Sequence, residues 1–174
     1  MEKSTPTGDT RYKILFICLG NICRSPAAQG IMEQLIASRG LQDRFLVDSA
    51  GLYGGHSGSL PDQRMRVHAQ RRGYTLTHRS RQITGSDLQT FDLIVVMDRS
   101  NLEGLQHLKD PVDPHKVVEM ASYLRFHPRN HCVPDPYYDG AEGFELVLDL
   151  LEDACEGLLD ELCKKQQPTL TKHS

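Results

Sequence analysis

The 174-residue chain has no tryptophan, and aromatic residues make up only 6% of it. No apolar stretch approaches the roughly 20 residues that a transmembrane helix needs. The opening segment, Met1 to Arg11, lacks the apolar centre of a signal peptide. Charge of one sign is not in excess either. With a formal net charge of -3, nothing favours nucleic acid or a membrane surface as partner. No segment repeats, and no linker divides the chain in two. The eight histidines fall at no metal-ligand spacing. Five cysteines, an odd number in a chain long enough to bury a core without staples, fit free thiols in a cytoplasmic protein better than a disulfide framework.

What is present is an ordinary globular composition, 39% hydrophobic and 25% charged, with well-marked elements. Tyr12 to Cys18 has few polar interruptions and reads as a strand buried on both faces. Ser25 and Pro26 read as the cap and first residue of a helix in which Ala28, Ile31, Met32, Leu35 and Ile36 recur at helical spacing until Gly40. Phe45 to Ala50 and Phe91 to Met97 are two further strands, and Val117 to Met120 a short fourth. Helices are expected from Pro61 or Asp62 to Arg72 and from Asp98 to Leu108. A last, long one carries the stripe Phe144, Val147, Leu148, Leu151, Cys155, Leu158, Leu159 and Leu162. The polar stretch from Gly73 to Thr90 offers no element, and Leu124 to Gly143 is loop.

Alternating strands and helices imply one α/β domain, a three-layer sandwich of a parallel sheet with helices on both faces, flavodoxin-like or Rossmann-like. The expected boundaries are a flexible extension over 1–11, the domain over 12–165 and a flexible tail over 166–174. In such sheets a ligand binds beyond the carboxyl ends of the strands.

Cys18 falls at such an end. After it come Leu19, Gly20, Asn21, Ile22, Cys23, Arg24 and Ser25, a tight loop running into a helix N-terminus. Glycine and asparagine tolerate positive φ. Backbone N–H groups and the positive end of a helix then converge on one small space, which suits an oxyanion. A thiol at the rim of that space feels the dipole, the amides and the Arg24 guanidinium, all of which favour its anionic form. Arg24 adds a planar fork of donors able to grip two phosphate oxygens. Ser25 is placed to donate to the sulfur as well as to cap the helix.

The run Cys18-Leu19-Gly20-Asn21-Ile22-Cys23-Arg24-Ser25 resembles the signature loop of the low-molecular-weight protein tyrosine phosphatases. Later landmarks of that family are matched in order: Asp48-Ser49-Ala50-Gly51, His78-Arg79-Ser80-Arg81-Gln82, Met97-Asp98-Arg99-Ser100-Asn101-Leu102 and Asp135-Pro136-Tyr137-Tyr138. The resemblance covers about residues 12 to 164. It implies a four-stranded sheet and hydrolysis of phosphotyrosine through a phosphocysteine on Cys18, without metal or cofactor. It implies Asp135 as general acid and then base, a role that a proline-flanked loop suits. It implies Ser49 and His78 as braces for Asn21 and Ser25. Tyr137 and Tyr138 would wall a cleft for a flat ring, with Tyr53 opposite. The sequence departs from the eukaryotic members at Tyr53-Gly54-Gly55-His56, where their tryptophan is missing.

The partner expected is a tyrosine-phosphorylated protein, with its cognate tyrosine kinase a second, and the enzyme is expected to be a monomer. Three rival readings share parts of this pattern. An arsenate reductase of the same fold needs further redox cysteines near the middle of the chain, and none lies between Cys23 and Cys132. A cysteine phosphocarrier must preserve its thiophosphate, so Arg24 and Asp135 would be liabilities. A silent phosphate-binding module has no use for Asp135.

Overall fold

The computed structural model describes residues 9–166. Four parallel strands form one sheet in the order β2-β1-β3-β4: β1 (Tyr12–Cys18), β2 (Phe45–Gly51), β3 (Leu93–Val96) and β4 (Val117–Glu119). Among the described residues five α-helices accompany them: α1 (Arg24–Ser38), α2 (Gln63–Arg71), α3 (Gly85–Thr90), α4 (Arg99–Gln106) and α5 (Ala141–Gln166).

The period of two along β1 divides the core. Ile14, Phe16 and Cys18 point to one face, where they pack with Ala28, Ile31 and Met32 of α1, Met65 of α2, and Phe144, Leu148 and Leu151 of α5. Leu15 and Ile17 point to the other, against Leu88 of α3 and Leu105 of α4. A strand between two such layers must be apolar on both sides, and Ile14 to Ile17 are fully buried. Because β1 pairs with β2 in register from Tyr12–Phe45 to Cys18–Gly51, Cys18 emerges at the carboxyl edge beside the end of its neighbour.

Four local expectations are corrected. Ser25 is not the cap of α1: the helix starts at Arg24, Cys23 takes the N-cap position with no side-chain hydrogen bond, and the Ser25 hydroxyl turns inward instead. Helix α3 occupies part of the stretch read as featureless. Thr84 accepts from the Asp87 N–H while Asp87 accepts from the Thr84 N–H, a reciprocal cap that starts a helix too short to show periodicity. Phe91 closes that helix, so β3 begins only at Leu93. Finally, Gln166 belongs to α5 rather than to a tail. Lys164 and Lys165 suit a helix C-terminus, and the Gln166 side chain accepts from Arg44 at 3.2 Å. Of the extension and tail expected over 1–11 and 166–174, residues 1–8 and 167–174 lie outside the described residues.

Candidate active site

Everything proposed for catalysis gathers at the carboxyl edge of β1. Asn21 adopts φ 57, a left-handed conformation that reverses the loop towards α1. The side chain that holds it there is itself fully engaged. Its Nδ2 donates to Ser25 Oγ at 2.7 Å and to Ser49 Oγ at 3.0 Å. Its Oδ1 accepts from the Arg81 backbone N–H and from His78 Nε2, both at 3.0 Å. Asn21 is buried, so each of these bonds replaces one that water would make. Ser49 Oγ donates in turn to Gln29 Oε1 at 2.6 Å, and Ser80 Oγ donates to the Gly20 carbonyl at 3.0 Å.

That network decides where two protons sit. Since Ser25 Oγ already accepts from Asn21, its own hydrogen is free to point at Cys18 Sγ, 3.0 Å away. The Ser25 backbone N–H donates to the same sulfur at 3.4 Å. His78 bonds an amide oxygen, so its hydrogen is on Nε2. Burial holds the imidazole below its ordinary pKa, against the pull of Asp48.

Arg24 is buried to 2% exposure, yet its charge is kept. Burial alone would lower its pKa, but Cys18, Asp98 and Asp135 outweigh that and raise it. Nη1 donates to Asp98 Oδ2 at 2.6 Å and to the Val133 carbonyl at 3.0 Å. Nη2 has Asp135 Oδ2 at 3.7 Å. Asp98 also caps α4 by accepting from the Asn101 N–H at 2.8 Å.

A cleft of about 250 Å³ opens above these groups. Cys18, Leu19, Gly20, Ile22, Cys23 and Arg24 form its base and sides, and Tyr53, His56, Asp135, Tyr137 and Tyr138 line it further out. Leu19, Tyr53 and Tyr138 are exposed apolar groups at the rim, and the Tyr137 and Tyr138 rings meet edge to face at 4.9 Å. Cys23 is buried, and burial together with Asp62 raises its thiol pKa far above the ordinary value. All five cysteines are free. Among the described residues no group of three or more His, Cys, Asp or Glu is arranged to hold a metal ion, and no helix is long and apolar enough to cross a membrane.

Every residue singled out from the sequence therefore lies in or directly behind this cleft. Several that share it carried no role in that reading. Asp98 appeared only as a helix start and within one family landmark, Arg81 only within another, and Gln29 gave no signal at all. His56 appeared only at the end of the run Tyr53-Gly54-Gly55-His56, with no role of its own. Its ring lies so close to Gly20 that a Cβ there would be 3.1 Å from it.

The family model for "Low molecular weight phosphotyrosine protein phosphatase" matches residues 13–168. A Synechocystis sp. protein whose name places it among low molecular weight protein-tyrosine-phosphatases is 47% identical over 156 residues, 88% of this chain and 98% of that one. The human low molecular weight phosphotyrosine protein phosphatase is 35% identical over 150 residues, 85% of this chain and 94% of its own. Among solved structures, a protein tyrosine phosphatase from Entamoeba histolytica superposes with a TM-score of 0.84 at 40% identity, covering 90% of this chain and 99% of the other.

Proposed function

The chain belongs to the low molecular weight phosphotyrosine protein phosphatase family, and from that premise we propose the part each residue plays when it hydrolyses a phosphotyrosine phosphomonoester. One observation carries the proposal. A buried cysteine sulfur, a buried guanidinium and a half-exposed carboxylate line one cleft whose walls are tyrosines.

The Cys18 sulfur attacks phosphorus in line with the ester oxygen. The P–O bond breaks, its electron pair leaves on the phenolic oxygen, and Asp135 supplies the proton that makes this oxygen an acceptable leaving group. Arg24 and the N–H groups of residues 19–25 take up the charge on the equatorial oxygens, so the step needs no metal. Water then attacks the phosphocysteine while Asp135 accepts its proton. The sulfur departs with its electron pair, stabilised by the Ser25 hydroxyl and N–H. Asn21, Ser49 and His78 hold the loop in shape. Tyr53, Tyr137 and Tyr138 receive the ring, an apolar, flat-walled setting that favours an aryl ester.

Tyrosine-phosphorylated proteins are the substrates that family membership implies, and a cognate tyrosine kinase is the natural source of them. We place the enzyme in the cytoplasm, where five free thiols stay reduced, and read it as a monomer. Hydrolysis of p-nitrophenyl phosphate in the presence of a chelator, with competitive inhibition by vanadate, tests the chemistry. Cys18→Ser should abolish turnover and still bind vanadate, because the N–H groups and Arg24 remain. Activity within a few-fold of the parent would remove Cys18 from its role.

A further inference from the structure

Asp135 is about half exposed and sits on a loop, so something must fix the direction of its carboxylate. One end of the loop is secured near Arg24: the Val133 N–H donates to the Met97 carbonyl at 2.9 Å, and the Val133 carbonyl accepts from Arg24. Past Asp135 the tie is different. The Tyr137 N–H donates to Asp135 Oδ1 at 3.1 Å, so the carboxylate follows Tyr137. The Tyr137 ring in turn lies over the guanidinium of Arg64, 5.3 Å from ring centroid to the guanidinium carbon. That same carbon is 4.8 Å from the centroid of Phe144, which is buried in the first turn of α5 and stacked on His68.

Arg64 is itself held. Its Nε and Nη2 reach the two oxygens of Asp62 at 3.1 and 2.8 Å, and the Asp62 N–H donates to the Ile22 carbonyl of the phosphate loop at 2.7 Å. A continuous path of contacts therefore runs from the phosphate loop through Asp62, Arg64 and Tyr137 to the carboxylate of Asp135. Arg64 does not line the cleft.

We propose that Arg64 is a positioning residue for leaving-group protonation, acting by clamping Tyr137 against Phe144 so that Asp135 faces the ester oxygen. The proposal rests on the role given to Asp135 above. A cation shared between two rings is well suited to this. It tolerates sliding along the ring face but resists lifting of the loop, since lifting exposes both rings and loses the attraction.

The test uses kcat/KM, which reports the first chemical step, across aryl phosphates from phenyl to 2,4-dinitrophenyl. Arg64→Ala should lose about tenfold on phenyl phosphate, the order of one cation–π contact converted to misorientation of the acid. The loss should be within about twofold on the dinitrophenyl ester, whose leaving group needs no proton. Vanadate affinity should be unchanged, and Arg64→Lys, which keeps a cation on the rings, should recover most of the loss. In an Asp135→Asn background Arg64→Ala should cost nothing further. Equal losses on every ester, or full additivity with Asp135→Asn, would overturn the role of Arg64. If Asp135→Asn alone lost activity equally on every ester, the acid assignment itself would fail, a result readable without any Arg64 variant. Should the alanine variant not fold, Arg64→Met, with the stem kept and the charge removed, makes the same comparison.

Discussion

The contact between Ser25 and Cys18 makes a kinetic prediction that separates the two chemical steps. In the proposed reaction the sulfur attacks and departs as a thiolate to which the hydroxyl donates, and in the phosphocysteine between the two steps it is neutral. Hydrogen bonds to charged groups contribute about 1.5–3 kcal/mol, and the sulfur at 3.0 Å is buried away from competing water. In each transition state the sulfur carries roughly half its charge, so about half that energy, about 0.75–1.5 kcal/mol, is at stake. In the first step Ser25→Ala has offsetting effects, since a less stabilised thiolate is scarcer and also more nucleophilic. In the second step nothing offsets the loss, because the sulfur is the leaving group.

Ser25→Ala should therefore lower kcat by about four- to twelvefold while kcat/KM changes by about threefold or less. Phosphoenzyme should accumulate, seen as a burst of p-nitrophenol approaching one equivalent in stopped-flow, and an added alcohol should raise turnover by intercepting it. The backbone N–H at 3.4 Å stays, which is why the loss is not larger. The substitution also leaves one Asn21 Nδ2 hydrogen unpartnered in a buried place, for a further ~1–3 kcal/mol of stability, so the melt must be recorded beside the kinetics. Equal falls in kcat and kcat/KM with no burst would refute the assignment of Ser25 to the departing sulfur.

Two other outcomes follow from groups around the loop. His78 has a folded pKa below its ordinary value of 6.5, so above that value it is neutral in both states, and as pH falls the unfolded chain binds its proton first. Its share of stability is thus present above about pH 6.5 and is lost as pH drops towards the folded value; thermal melts of His78→Gln, which can still donate to Asn21, should lose stability less steeply across that window, and parallel pH profiles would refute this. Mild peroxide should oxidise Cys18 first and join it to Cys23, reversibly by dithiothreitol, and closure should quicken with rising pH because the raised Cys23 pKa keeps that thiol protonated; recovery equal in wild type and Cys23→Ser, or a peptide map pairing Cys18 elsewhere, would contradict it.

How much of this was legible in the sequence depends on the range of the interaction involved. Tyr12 to Cys18 and the stripe from Phe144 to Leu162 declare themselves because burial on two faces or one leaves a period in the residues themselves. The span from Cys18 to Ser25 is legible because a single turn must satisfy one anion. Helix α3 is not, since its cause is one reciprocal cap at Thr84 and Asp87 rather than a pattern. The Ser25 cap was misread for a related reason: a serine before proline looks like a helix start until Asn21 and Cys18 claim its hydroxyl. Asp98, Arg64 and Gln29 act across pairings that no spacing announces, Arg24 meeting Asp98 from 74 positions away.

Arg24 shows why those distant pairings matter to the chemistry. A guanidinium buried to this degree would be costly without a partner, and Asp98 supplies one while remaining fixed as the cap of α4. The same nitrogen that meets Asp98 also meets the Val133 carbonyl, so one side of the planar group is fully used before any substrate arrives. Nη2 is in a different position. Asp135 stands 3.7 Å from it, too far for a hydrogen bond and close enough to attract. The fork is therefore anchored along one edge and open along the other, aimed into the cleft without having to reorient when phosphate enters. A lysine has one charged nitrogen and would have to choose between Asp98 and the phosphate. By the same geometry, this single side chain ties the phosphate loop to α4 and to the root of the acid loop. In the proposed reaction, the group that binds the anion also sets the distance between the nucleophile and the acid.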